Sequence, residues 1–261
     1  MNMVKVLTYN VSWENMSGNT KDNKCIIMDA NNKKYNQCRK NILNKIFGKI
    51  RYDFIALQEA VFSKEELNNI CKQYNYNYYL NRSGKESMLT LYDKKYNLLN
   101  VNNGEFQKGR PWCILLFENI CIINVHLGHF FYNHEHQIQD SIDKINLKNN
   151  NEIKNCTIIM MGDFNHNIKK IKFNSYILKE LKNYITYCGF QNKLCSNKKN
   201  RGKKFDHILS NSKIVDNYVL NGYTENNEHA SDHLPVIAEI IIKDEKYKYL
   251  KYKEKYILST K

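Results

Sequence analysis

Asp163 and Asn165 stand two residues apart at the end of the run Ile158-Ile159-Met160-Met161-Gly162-Asp163-Phe164-Asn165-His166-Asn167. A continuous apolar run closed by a glycine reads as a fully buried strand of a covered sheet. The glycine permits a sharp turn, and the two polar side chains then leave the strand end on the same side. A carboxylate and a carboxamide so placed can handle a polar substrate, although Asp and Asn are also ordinary residues where strands stop. Further polar residues sit at the ends of other apolar runs, at Asn10, Gln58-Glu59, His126, Asp206-His207 and Ser231-Asp232-His233. Singly, each has an everyday explanation as a turn, cap or core residue. Their shared placement at the ends of buried strands is harder to attribute to turns.

The residue types suit metal and phosphate chemistry. Hard divalent cations take oxygen ligands, and Mg²⁺ uses one or two protein carboxylates and keeps several waters. Glu59 is the best such ligand, with Asp232 and Asn10 as further candidates. An Asp–His pair orients an imidazole, and Asp163 can align or deprotonate a water. Zinc fits less well, because no cysteine or histidine spacing matches a tetrahedral site. The group His129, His134 and His136 reads as loop chemistry rather than a second metal site.

Stepping from these residues to the elements that must hold them, apolar runs predict strands over 4–11, 54–57, 77–81, 87–92, 113–117, 120–126, 157–161, 205–209, 214–220 and 234–242. Cys38, Ile42, Ile46 and Ile50 form a helix stripe. Ser63-Lys64-Glu65-Glu66 is a capping-box signature, with Leu67, Ile70, Cys71 and Tyr74 on the helix face that follows. Ile138, Ile142 and Ile145 predict another helix, and Tyr176, Ile177, Leu181 and Tyr184 a further one. The Asn-rich stretch 18–34 reads as a loop. Strands outnumber helices and come in adjacent runs, which favours a layered α/β protein with mixed sheets.

Bulk properties agree with one compact domain. The 261 residues include only 10 Gly and 2 Pro, and no linker-like or repeated segment is visible. The formal charge of +14 points to a polyanionic partner, although a Lys/Asn/Ile/Tyr-rich composition also reflects genome bias. None of the eight cysteines forms a CxxC pair, and several lie inside apolar runs, as free thiols do. The first residues lack the apolar core of a signal peptide, and no segment reaches membrane-spanning length. The expectation is a soluble, intracellular protein of the cytoplasm or nucleus, in a reducing compartment.

Taken in order, Thr8-Tyr9-Asn10, Leu57-Gln58-Glu59, Asn124-Val125-His126-Leu127, Gly162-Asp163-Phe164-Asn165, Phe205-Asp206-His207-Ile208-Leu209 and Ser231-Asp232-His233-Leu234-Pro235-Val236 resemble the endonuclease/exonuclease/phosphatase superfamily of DNase I-like metal-dependent phosphodiesterases. The resemblance spans 4–242. It implies a four-layer α/β/β/α sandwich with two central mixed β-sheets and the site at one edge. By resemblance, Glu59 is the main Mg²⁺ (or Mn²⁺) ligand, Asn10 helps hold metal and phosphate, and Asp232 assists the metal. Asp163 orients or activates the attacking water, and Asn165 steadies the phosphoryl oxygens. His233 contacts the scissile phosphate or acts as base, oriented by Asp206. His126 is similar to the second histidine of DNase I-like and sphingomyelinase-like members. Lys85-Glu86 resembles the pair whose glutamate holds that histidine, which would make His126 the acid for the leaving oxygen. Arg110-Pro111 resembles an Arg-Pro whose guanidinium reaches phosphate.

The departures narrow the substrate. Inositol polyphosphate phosphatases carry Tyr-Arg where this chain has His166-Asn167, and Trp-Cys-Asp-Arg where it has Lys204-Phe205-Asp206-His207. Secreted DNases and sphingomyelinases carry leaders and disulfides that are not evident here. Lys193, Lys198, Lys199, Arg201, Lys203 and Lys204 crowd the segment entering Asp206, where Lys203 and Lys204 would bind backbone phosphates. The expectation is therefore a monomeric Mg²⁺-dependent nuclease over 1–242 with a basic Lys/Tyr-rich tail over 243–261. Its substrate would be DNA or RNA. The alternatives are a specialised phosphodiesterase (tyrosyl-DNA phosphodiesterase, deadenylase, sphingomyelinase or cyclic-nucleotide phosphodiesterase) and a catalytically inactive nucleic-acid-binding protein.

Overall fold

Side chains alternate across a strand, so each strand's sequence already sorts its residues onto two faces. In β1 (Met3–Asn10) one face carries Val4, Val6, Thr8 and Asn10, and in β4 (Phe54–Gln58) it carries Phe54, Ala56 and Gln58. In β9 (Ile120–His126) the face carries Ile120, Ile122, Asn124 and His126, and in β10 (Thr157–Asp163) Ile159, Met161 and Asp163. Each of these faces starts apolar and ends polar. In the computed structural model all four point into the same space, where their apolar members form one core between two sheets. The site is the polar end of that core.

The structure describes residues 2–18, 26–28, 34–83, 86–106, 109–128, 134–146, 153, 156–182, 184–187, 203–220 and 231–243. The first sheet runs β14 (Ile214–Val219), β15 (Val236–Ile241), β1, β4, β6 (Glu86–Asp93) and β5 (Tyr76–Ser83). The second runs β11 (Lys170–Phe173), β12 (Tyr176–Lys179), β13 (Asp206–Ser210), β10, β9, β8 (Pro111–Leu116) and β7 (Asn100–Glu105). Helices α1 (Trp13–Ser17), α2 (Gln37–Phe47) and α3 (Lys64–Tyr74) cover the first sheet, packing Met16, Ile42, Ile46 and Leu67 on Leu7, Tyr9, Ile55 and Leu57. Helix α4 (His134–Asn146) covers the second with Ile138, Ile142 and Ile145 against Ile123, Val125 and Met160. The result is the expected α/β/β/α sandwich.

Strand direction explains why one edge holds all the chemistry. β1 and β4 are parallel, as are β9 and β10, whereas β15, β6, β8 and β13 run antiparallel to them. Antiparallel neighbours begin where the parallel strands end, so residues opening β6, β8, β13 and β15 meet residues closing β1, β4, β9 and β10. Ligands in α/β sheets gather outside the carboxyl ends of parallel strands for the same reason. Across the sheets, Gln58 Nε2 donates to Asn124 Oδ1 at 2.8 Å, and Asn124 Nδ2 donates to Thr90 Oγ1 at 3.1 Å. All three residues are buried, and their polar atoms satisfy one another.

Four local expectations need correction. The segment containing Tyr176, Ile177, Leu181 and Tyr184 is not helical: Tyr176–Lys179 is strand β12, hairpinned to β11, with Ile171, Phe173 and Leu178 inward and lysines between them. A left-handed Asn174 makes the two-residue turn that the helical spacing concealed. Within 18–34, Ile26–Met28 forms β2, paired with β3 (Lys34–Asn36). β7 was not foreseen, because an edge strand reading Asn-Val-Asn-Asn-Gly-Glu has no apolar alternation to find. Cys38 is disulfide-bonded, against the reading of the cysteines as free thiols, whereas Cys71, Cys113, Cys121 and Cys156 are free and buried. The α3 capping box is present as read, with Ser63 Oγ accepting from Glu66 N and the Glu66 carboxylate from Ser63 N. Among the described residues no helix is long and apolar enough to cross a membrane.

Candidate active site

Asn10 joins the two sheets. Its Nδ2 donates to Asp163 Oδ2 at 2.9 Å and to Glu59 Oε1 at 3.2 Å, and its Oδ1 accepts from Ser12 N at 3.0 Å. Both amide hydrogens are thus used in clamping two carboxylates, so Asn10 acts here as a brace. A direct contact to metal or phosphate is left to the second lone pair of Oδ1. Glu59 follows β4 with a left-handed φ of 56°, and Trp13 N donates to its Oε2 at 2.9 Å. Asn165, with φ of 51°, donates N–H to Asp163 Oδ1 at 2.7 Å and Nδ2 to Leu127 O at 2.8 Å. Left-handed backbone at non-glycine residues costs about 1–3 kcal/mol and persists where the surroundings over-determine it, commonly at functional sites.

Asp206 and His233 enter on the antiparallel strands. Asp206 lies opposite Asp163 in the β10–β13 register, and its Oδ2 is 2.7 Å from His233 Nδ1. The other ring nitrogen, Nε2, lies 3.8 Å from Asp163 Oδ2. Burial alone would push His233 down, but the Asp206 and Asp163 carboxylates prevail and hold it well above the ordinary histidine value. Ser231, a residue not singled out by itself in the sequence, fastens this segment to β1 by donating Oγ–H to Asn10 O at 2.8 Å. Tyr187 packs edge-on against the His233 ring with centroids 4.9 Å apart.

His126, Glu86 and Arg110 form a third group. Glu86 Oε2 is 3.1 Å from His126 Nδ1, the pairing expected from the resemblance. Arg110 Nη1 is 2.9 Å from the Glu86 carboxylate and 2.5 Å from His126 Nε2. A guanidinium only donates, so with Nδ1–H given to Glu86, Nε2 accepts from Arg110. In this arrangement Arg110 occupies the nitrogen that would serve a leaving oxygen. His126 Nε2 is also 3.5 Å from Asp163 Oδ2.

The basic loop is only partly brought in. Lys203 bridges to Tyr187 on the strip that also pairs Tyr187 with His233, and its ammonium lies 5.3 Å from the Phe205 ring centroid. The Lys204 carbonyl accepts from His207 Nε2 at 3.1 Å. Lys85, Lys193, Lys198, Lys199, Arg201, His129 and the tail beyond Lys243 lie outside the described residues. His136 is exposed and pairs with Asp140 along its own helix, away from any cluster.

His207, the sequence neighbour of Asp206, takes no part in the Asp206–His233 pair. Alternation turns it to the opposite face of β13 from Asp206. There Nδ1 meets the buried Glu180 carboxylate at 3.1 Å, and Nε2 meets the carbonyls of His166 and Lys204 at 2.9 and 3.1 Å. With acceptors at both nitrogens, the ring is satisfied only as the imidazolium, and it pins the turn after Asp163 to the start of β13. Burial lowers its pKa, but Glu180 and the His166 carbonyl outweigh that and leave it raised. A raised folded-state value means stabilisation that is full below the unfolded pKa, about 6.5, and is lost as pH rises through the folded value. The melting temperature of the wild type should therefore exceed that of His207→Gln at pH 6, and the gap should narrow at alkaline pH. A gap independent of pH would count against the buried ion pair. Glu180 had no signal in the sequence.

The donor set fits a hard cation. Burial pushes Glu59 up, but His126, the Trp13 N–H, the Asn10 amide and His233 outweigh it and hold Glu59 below the ordinary carboxylate range. Burial, with the charges of Glu59 and Asp163, pushes the half-buried Asp232 up to about 6 despite the opposing His233. A carboxylate raised chiefly by burial lacks the solvation its charge needs, which a divalent ion bound through oxygen would supply. Asp163, Asp206 and His233 also place potential ligand atoms within 4.8 Å of one another. His233 Nδ1 and Asp206 Oδ2 are already hydrogen-bonded to each other at 2.7 Å.

Comparison with known proteins agrees with this geometry. The chain is 30% identical over 270 residues to uncharacterized protein L684 of Acanthamoeba polyphaga mimivirus, covering 91% of this chain and 50% of that protein. It thus spans about half the length of that curated relative. Among solved structures, an endonuclease/exonuclease/phosphatase from Bacteroides vulgatus superposes with a TM-score of 0.68 at 16% identity, covering 93% of this chain and 100% of the other. TDP2 of D. rerio, complexed with single-strand DNA product, superposes with a TM-score of 0.62 at 12% identity, covering 92% and 100%. At such identities the likeness shows the fold alone. The model of the endonuclease/exonuclease/phosphatase family, hydrolases acting on phosphate esters, matches residues 7–233. With the ordered strand-end residues and the four-layer fold, that match shows that the chain belongs to the endonuclease/exonuclease/phosphatase family.

Proposed function

We propose that the protein is a Mg²⁺- or Mn²⁺-dependent phosphodiesterase that hydrolyses nucleic acid by in-line attack of water. The observation that carries the reading is the Asn10 clamp, which holds Glu59 and Asp163 together within reach of the Asp206–His233 pair. Glu59 and Asp232 would hold the ion, whose contribution is Lewis-acid polarisation of the phosphoryl oxygen. Asp163, fixed through Oδ1 by Asn165 N–H and through Oδ2 by Asn10, orients the water and draws its proton. His233 directs Nε2–H at a phosphoryl oxygen while Asp206 holds the ring, and the second N–H of Asn165 supports the same oxygens. A substrate phosphate is the natural counter-ion for Arg110. Once Arg110 turns to it, His126 Nε2 is freed to take a proton from solvent, with Nδ1–H still held by Glu86, and to pass that proton to the leaving oxygen.

The polymer as substrate is favoured by the net charge of +14, and by Lys203 and Lys204 at the entry to β13. The bound single-strand DNA product in the D. rerio relative points the same way. End-labelled single- and double-stranded DNA and RNA oligonucleotides test the reading beside a tyrosyl-oligonucleotide, a poly(A) tail, sphingomyelin and a cyclic nucleotide. Cleavage of nucleic acid with Mg²⁺ or Mn²⁺, stopped by EDTA and restored by excess metal, is the expected result. Undiminished hydrolysis in EDTA, or turnover confined to the lipid or cyclic nucleotide, would overturn it.

A further inference from the structure

The chain has two tryptophans, and the structure treats them oppositely. Trp112 is 3% exposed in the core, whereas Trp13 is 42% exposed and makes no ring contact among the described residues. Trp13 opens helix α1 immediately after the Asn10 brace, and its backbone N–H is bonded to Glu59 Oε2 at 2.9 Å. Its exposure is not the fraying of a loose end. Ser12 holds a left-handed φ of 60° while its N–H bonds Asn10 Oδ1. Farther along α1, Asn15 and Met16 are buried, Asn36 Nδ2 donates to Asn15 O at 2.7 Å, and Arg39 Nη1 to Met16 O at 3.1 Å. A strained residue and a fastened helix therefore hold a large flat apolar ring in water, on the residue whose backbone N–H meets the carboxylate assigned to the metal.

We propose that the Trp13 indole is a stacking platform for an unpaired base of the nucleotide whose phosphate lies at Glu59. The proposal deepens, and rests on, the nucleic-acid reading above. A phosphate at Glu59 carries its base one sugar away, within reach of a residue whose N–H touches that same carboxylate. Indole faces stack on any base, which gives affinity without sequence preference. A base paired in a duplex has no free face to offer, so Trp13 selects single strands, overhangs or a base turned out of the helix. The substrate class is thereby narrowed to unpaired nucleic acid.

Because Trp112 is buried away from ligand, a change in tryptophan emission on binding reports chiefly on Trp13. The full chain carrying Asp163→Asn, in which cleavage does not interfere, is titrated in Mg²⁺ with oligothymidylate, oligoadenylate, a blunt duplex of the same sequence composition, and inorganic phosphate. The single strands should quench the emission, and the duplex and phosphate should not. Trp13→Phe should abolish the quench while retaining most of the affinity, and Trp13→Ala should weaken single-strand binding about tenfold. Quenching that persists in Trp13→Phe, unchanged affinity in Trp13→Ala, or equal quenching by duplex would each overturn the proposal. Failure of the two readings is distinguishable: quenching without cleavage under any metal removes the phosphodiesterase and leaves the platform. Metal-dependent cleavage with unchanged binding in Trp13→Ala removes the platform alone.

Discussion

Asp163→Asn is expected to lower phosphodiester cleavage by about 10³-fold or more, in the range of lost general-base catalysis, while the protein still folds. The carboxylate has two fixed duties in the structure, accepting from Asn165 N–H on Oδ1 and from Asn10 Nδ2 on Oδ2. A carboxamide can keep the first contact, but it turns an N–H₂ toward the Asn10 N–H₂. That clash costs on the order of 1–3 kcal/mol for an unmet buried donor, which a domain of this size tolerates. It cannot account for a thousandfold loss of rate. His233→Ala should abolish cleavage similarly, but it also leaves the Asp206 carboxylate buried without its imidazole. His233→Asn, which retains a donor for Asp206, separates catalysis from stability. Cleavage assays with circular dichroism and thermal melts decide the matter, and near-wild-type cleavage by a folded Asp163→Asn protein would sink the assignment.

Gly162→Ala should be the most destabilising small substitution in the site, by roughly 3–5 kcal/mol from combined strain and overlap. Gly162 has φ of 149°, and a Cβ there would fall 1.9 Å from the Val125 carbonyl oxygen, an overlap with backbone that no rotamer relieves. Gly162 pairs with Val125 in the parallel β9–β10 ladder. Separating those strands would break the Leu127 N to Asp163 O bond of 2.8 Å and move Asp163 itself. The melting temperature should fall on the order of 10 °C, with cleavage falling further than the folded fraction explains. An unchanged melting temperature would contradict the close approach of β9 and β10 at this glycine.

Much of this site could be read before any fold was known, because strand alternation is local. Val4-Val6-Thr8-Asn10 and Ile120-Ile122-Asn124-His126 each announce a face that runs from apolar to polar, and that gradient marks the mouth of a buried core. The capping box at Ser63 was legible because both of its partners lie within four residues. The segment from Tyr176 to Tyr184 misled because sparse apolar residues satisfy a helical period by chance. The left-handed turn at Asn174 leaves no such imprint. β7 and Glu180 were invisible for a related reason, since a polar edge strand and a single glutamate acquire meaning only from what lies beside them.

The strand-end motifs and their order thus determined by themselves the family, the layered fold and the residues that gather at its edge. The resemblance also paired His233 with Asp206 and His126 with Glu86, and only the tertiary structure decided what else those residues touch. Neighbours in sequence alternate between faces, so while Asp206 met His233 as expected, His207 turned to Glu180 and braces the same turn from behind. Asn10 was found clamping Glu59 and Asp163 together across the sheets, and Arg110 on His126. Trp13 was left facing water beside Glu59. Each of these outcomes depends on distances across two sheets, and no spacing along one chain encodes such a distance.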